Sequence, residues 1–100
     1  MKFFIIENIS KSDLTAEEIA ANLLMSRVHL YRKIKALTGN SVTHYMRQVR
    51  LAEALPLLKA GKFNISEVAY KTGFSSPSHF ARTFKKEMGQ TPSEYLSKQF

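Results

Sequence analysis

Arg32 and Arg82 stand fifty positions apart, and their neighbours repeat with them. Each has a serine six residues before it (Ser26, Ser76), a histidine three before it (His29, His79) and a lysine three after it (Lys35, Lys85). An arginine one turn into a helix can meet guanine O6 and N7 with two parallel N–H donors, and a lysine can neutralise a phosphate. Small or branched neighbours such as Val28 and Ala81 can touch a thymine methyl, and Tyr31 can reach sugar or phosphate. The candidates for DNA contact are therefore Arg27, Val28, Tyr31, Arg32 and Lys35 in the first half, with Ser78, His79, Arg82 and Lys85 in the second. His29 and His79 border these sets and can equally orient a helix against its partner or donate to a phosphate.

Other chemistries lack their parts. With no cysteine there is no disulfide, thiolate metal site or thiol nucleophile, and His29, His44 and His79 are not at metal-pair spacing. No nucleophile–base–orienter set, paired carboxylates or phosphate-binding glycine loop can be assembled, so neither an enzyme nor a cofactor is expected. The longest apolar runs, Phe3–Ile6 and Ala54–Leu58, are far too short to cross a bilayer, and the first is too short for a secretory core. RNA binding would need a stacking sheet or loop that the sequence does not provide. These exclusions leave a cytoplasmic domain without a membrane partner.

The elements that position the arginines follow from the repeat. Shifted by 50, Leu30 meets Phe80, Ile34 meets Phe84, Gly39 meets Gly89 and Tyr45 meets Tyr95. Upstream of the serines the shift is 49, so Glu18-Ile19-Ala20 matches Glu67-Val68-Ala69 and the second copy has one extra residue within Thr72–Ser75. Each copy reads as helix, tight turn, helix. Thr15 followed by Glu18 predicts a capping box, with Ile19, Ala20 and Leu23 as the buried stripe and Leu24-Met25 as the turn. Ser26 caps a helix burying Leu30, Ile34 and Leu37 and ending at Gly39. In the second copy Ile65, Val68 and Ala69 line the first helix, Gly73 turns the chain and Ser76 caps ahead of Pro77. Phe80, Phe84 and Met88 form the stripe that precedes Gly89.

Hydrophobic residues are 44% of the 100, enough for a real core, and the net charge is +7. The excess is not a basic tail: residues 1–60 carry nine Lys/Arg against five Asp/Glu, and residues 61–100 carry six against three. Within Ser26–Thr38 every charged residue is basic, which a plain solvated face would not show. A polyanionic partner fits that distribution.

Between the copies, Val42, Tyr45, Met46, Val49, Ala52 and Leu55 recur at helical spacing, predicting one helix over Ser41–Ala60. About twenty residues span ~30 Å, close to the ~34 Å between successive major-groove faces. Neither half is large enough to stand confidently alone, so this helix is expected to be shared core, with Leu57, Leu58 and Phe63 packing toward the second half. Pro56 removes the bond to the Ala52 carbonyl, which predicts a kink or break near Ala52–Pro56.

The run NISEVAYKTGFSSPSHFARTFKKEMGQTPSEYL (Asn64–Leu96) closely resembles the second half of the DNA-binding domain of AraC/XylS transcriptional regulators. Leu14–Leu58 resembles its first half and linker helix, so the likeness covers roughly Glu7–Ser97. It implies an all-α fold of about seven helices: two helix-turn-helix subdomains (1–40 and 63–100) joined by a long linker helix (41–62). It further implies that Val28, Tyr31 and Arg32 are base-facing in the first recognition helix and Ser78 and Arg82 in the second, with a last helix after Thr91-Pro92. Pro56 departs from the family's uninterrupted linker. The phrasing LYRKIKALTG is similar to output domains of bacterial hybrid two-component regulators, and the abrupt start at Met1-Lys2 reads as a domain clipped from a longer chain, with a small stand-alone family member of this size as the alternative. The expected function is sequence-specific binding of double-stranded DNA by a monomeric domain, with RNA polymerase engaged through the parent regulator. The rival is a helix-turn-helix-shaped module that grips protein without sequence-specific DNA binding.

Overall fold

Side-chain caps punctuate the chain. Thr15, Ser26, Ser41, Asn64 and Ser76 each accept a hydrogen bond from the backbone N–H three residues on, which satisfies one of the donors left open at a helix start. The structure is a computed structural model describing residues 2–11 and 13–99. Among these the chain forms seven helices and no strand: α1 (Lys2–Glu7), α2 (Ala16–Asn22), α3 (Arg27–Thr38), α4 (Val42–Ala60), α5 (Ile65–Lys71), α6 (Pro77–Met88) and α7 (Pro92–Gln99). The all-α expectation holds, as do the two helix-turn-helix pairs, α2–α3 and α5–α6. Four residues separate the first pair and five the second, which is the extra residue that the change of shift requires.

Two cores form, and α4 belongs to both. Val42, Met46 and Val49 pack with Ile5, Ile19, Leu30 and Ile34, an aliphatic cluster under α1–α3. Leu51, Ala54 and Leu58 pack with Val68, Phe74, Phe80, Phe84 and Tyr95. Leu57 and Phe63 lean on this second cluster, as the sequence predicts. Its rings meet edge to face or tilted: Phe74 to Phe80 at 5.0 Å, Phe80 to Phe84 at 5.7 Å and Phe84 to Tyr95 at 5.6 Å between centroids. Each such pair contributes about 0.5–1.5 kcal/mol beyond area burial.

Four local expectations are corrected. Leu37 is 71% exposed, not buried. It lies on the stripe of α3, but neither α2 nor α4, the helices α3 packs against, covers its last turn. Met88 is 38% exposed because two steps of four residues carry it about 80° around α6 from Phe80. Of the kink or break expected near Pro56, the break is absent, since α4 runs unbroken for 19 residues with Pro56 inside it. Pro56 and Ala52 are both exposed, so the carbonyl that loses its donor sits on the side where water can take it. The Thr15 box is half formed: Thr15 Oγ1 accepts from the Glu18 N–H at 3.2 Å, but the Glu18 carboxylate is held by Lys11 Nζ at 3.1 Å. Reciprocal boxes form instead at Asn64 and Glu67 and at Thr91 and Glu94.

Candidate nucleic-acid interface

The two second helices, α3 and α6, bury one stripe each and leave the opposite side open. On α3, Val28 is 57% exposed, and Arg27, Tyr31, Arg32 and Lys35 are exposed with it. On α6, Ser78, Arg82 and Lys85 are exposed, while Ala81 and His79 are half-buried. Every residue expected to touch DNA therefore lies outside the cores. His29, at the position equivalent to His79, is exposed.

These side chains are not equally free. Arg27 forms an ion pair with Glu17 of α2 at 2.8 Å. Its Nε donates to the Tyr31 hydroxyl at 2.9 Å, and its guanidinium lies 5.2 Å from the centre of that ring. The Tyr31 hydroxyl, then Glu17, stabilise the charged guanidinium and raise its pKa further. Arg27 is thus a brace that fixes Tyr31. Lys35 Nζ donates to the Gly39 carbonyl at 2.9 Å and caps the end of its own helix. His79 stands edge-on to Phe74 at 5.5 Å, and its Nδ1 is 3.3 Å from Ser75 Oγ, so packing claims one side of its ring. Arg32 and Arg82 have no hydrogen bond or ion pair with any described residue. Two equivalent arginines, exposed and unspent, are the groups best placed for an external acceptor.

A cleft of about 370 Å³ lies between the two pairs, where Tyr31 of α3, Thr43 and Arg47 of α4 and Ser75 and His79 of the second pair share one lining. A shallower concavity continues along Arg32, Lys35 and the start of α4. Thr43 and Arg47 are polar members of this surface that the repeat did not single out, because their equivalents at a shift of 50 are Ser93 and Ser97, with no arginine to match Arg47. His29, His44 and His79 sit on three different helices, and no group of three potential metal ligands comes together among the described residues.

Arg50 is the residue that sequence reading passed over. It is 7% exposed, and its guanidinium donates to three backbone carbonyls: Ile9, Thr72 at 3.1 Å and Lys11 at 3.0 Å. No described carboxylate is within ion-pair distance, and burial lowers its pKa from the usual arginine value. The signal was in the sequence. The row 42, 46, 50, 54, 58 of α4 is Val, Met, Arg, Ala, Leu, apolar at every step but one.

The helix-turn-helix domain family matches residues 11–98 of this chain. Histidine kinase P4 of Formosa agariphila is 35% identical over 97 residues, which take in 96% of this chain and 7% of that protein. This chain therefore spans a small fraction of that relative's length. The C-terminal domain of AraT, a response regulator from Geobacillus stearothermophilus, is similar at a TM-score of 0.88 and 35% identity, covering 97% of this chain and 80% of that one. The DNA-binding domain of AdpA, a global transcriptional factor solved with a target DNA, is similar at 0.87 and 27% identity, covering 96% and 86%. Among the described residues, no helix is long and apolar enough to cross a membrane. With its two helix-turn-helix pairs on one shared helix, and with these likenesses over nearly its whole length, the chain belongs to the AraC-type helix-turn-helix domain family of transcription regulators.

Proposed function

We propose that this domain reads double-stranded DNA through two major grooves, with α3 in one and α6 in the next. The reading divides the chain into subdomains at 1–40 and 63–100 with the linker helix at 41–62. Arg32 and Arg82 read guanine, Val28, Tyr31 and Ser78 shape the contacts beside them, and Arg27, Lys35, His79 and Lys85 meet phosphate. The observation that carries it is the pair of equivalent arginines left without internal partners on exposed helix faces. The length of α4, about 29 Å for 19 residues, suits readers one DNA turn apart. The likeness to a kinase-named protein and to a response regulator's C-terminal domain supports an output role in two-component signalling. In this reading the domain is monomeric, cytoplasmic and non-enzymatic, and RNA polymerase is met through the parent regulator.

Selection from a random duplex library of about 30 bp at near-physiological salt tests the proposal, because non-specific binding is weak there. Two short motifs centred about 10 bp apart are expected. One motif alone would restrict base reading to a single pair. No enrichment by folded protein would overturn the reading in favour of a protein-gripping module.

A further inference from the structure

Arg50 stands where the two cores meet. Val49 before it belongs to the first cluster and Leu51 after it to the second. Its three carbonyl acceptors come from both sides of that seam. Ile9 and Lys11 lie in the connector between α1 and α2, and Thr72 closes α5 at the turn that leads into α6. The Thr72 carbonyl, at the C-cap of α5, lies at the negative end of that helix's dipole, so a cation suits it. Thr72 is itself pinned, its hydroxyl donating to the Val68 carbonyl at 2.8 Å. Gly73 completes the seam. A Cβ there would lie 1.5 Å from Arg50 Nη1 and 1.9 Å from the Ile9 oxygen, so the second turn abuts the first half with no room for a side chain.

Filling this position with leucine or methionine would avoid burying a charge, which is costly even when it is hydrogen-bonded. What an apolar side chain cannot do is fix angles. A planar guanidinium engaged by three carbonyls permits one relative placement of the groups it bridges. We propose that Arg50 is a positioning residue that sets the separation and angle of α3 and α6, and with them the half-site spacing the domain accepts. The proposal rests on the DNA-reading function for its spacing consequence, but not for its geometric one.

The experiment uses both consequences. The chain has no cysteine, so Ala36→Cys and Lys86→Cys, exposed and equivalent on α3 and α6, accept spin labels at two defined places. Without DNA, the parent gives one narrow label-to-label distance. Arg50→Lys, which keeps the charge and loses the fork, broadens it at least about twofold, and Arg50→Met broadens it further. On duplexes carrying the selected motifs, adding or removing one base pair between half-sites weakens the parent about tenfold, and Arg50→Lys less than about threefold. Circular dichroism checks folding. If Arg50→Met does not fold, Arg50→Lys decides. An unchanged distance distribution and spacing preference in a folded Arg50→Lys overturns the proposal, as does a parent distribution that is already broad. A parent that selects no motif defeats the DNA reading alone, and the label distances still judge Arg50.

Discussion

Leu24 and Gly73 hold the same place in the two turns. Both have a left-handed backbone, φ 55° and 87°, and the residue after each donates its N–H to the equivalent alanine carbonyl, Met25 to Ala20 and Phe74 to Ala69, both at 3.0 Å. Yet Leu24 is 94% exposed, while Gly73 is buried against Arg50 and Ile9. The difference teaches what the backbone alone does not require. A left-handed turn tolerates leucine where the side chain can point into water. The second turn requires glycine because the other half of the molecule occupies the space where Cβ would go. One turn is a free tip, and its copy is a joint.

The largest expected effect comes from forcing the copies to match. Gly73→Leu gives the second turn the residue the first turn carries, and the collision with Arg50 and Ile9 adds to the strain of the left-handed backbone. We expect destabilisation above about 4 kcal/mol, in the range reserved for severe overpacking. Thermal or urea unfolding followed by circular dichroism measures it. A variant that melts within a few degrees of the parent would show that the halves are not so closely joined.

The reading faces differ in a related way. Arg32 stands beside Tyr31, which Arg27 and Glu17 hold in place, whereas the positions matching Val28 and Tyr31 beside Arg82 are the small Ser78 and Ala81. Arg32→Ala and Arg82→Ala should each weaken binding by about 1–3 kcal/mol and relax preference at one base position. Arg82→Ala should erase more of its half-site, because small neighbours offer little to replace it. Competition titrations with single-base variants of the selected site would decide. Equal binding of every duplex by both mutants and the parent would remove the recognition assignment.

Most of the architecture was legible because it rests on local chemistry written twice. Capping residues, a glycine past each second helix, and stripes at helical spacing appear in both copies, and each copy supports the reading of the other. The site faces followed by subtracting those stripes. What periodicity missed depends on neighbours it does not represent. Leu37 has the right angle but no helix over it, and Pro56 is tolerated because its side of α4 faces water. Glu18 is diverted by Lys11 from outside its helix. Arg50 joins segments 41 and 22 residues away in the chain, so its partners could not be inferred from any local window. Thr43 and Arg47 became visible only once α4 was seen beside both readers.

The two lysines sharpen the comparison at a smaller scale. Lys85→Ala should weaken all duplexes alike and reduce the slope of log affinity against log salt by about 0.9, the value for one phosphate contact. Lys35 must leave the Gly39 carbonyl to reach a phosphate, so Lys35→Ala should change the slope by no more than that. A salt series on one specific and one scrambled duplex measures both. A slope change for Lys35 equal to that for Lys85 would mean that its capping contact is abandoned on DNA, and no change that the contact is kept.

The smallest effect belongs to the free tip. Leu24→Gly removes a left-handed penalty of about 1–2 kcal/mol and adds about 0.5–1 kcal/mol of backbone entropy cost. The net expectation is a gain between zero and about 1.5 kcal/mol, a rise in Tm of at most ~8 °C for a domain of this size. Because the Leu24 side chain touches neither core, the helical spectrum and DNA affinity should stay as they are. The test is therefore the sign. The same residue difference should stabilise at position 24 and, reversed, disrupt at position 73. If Leu24→Gly instead lowers Tm, the leucine has a contact in the folded chain that its exposure conceals, and the first turn is not a free tip.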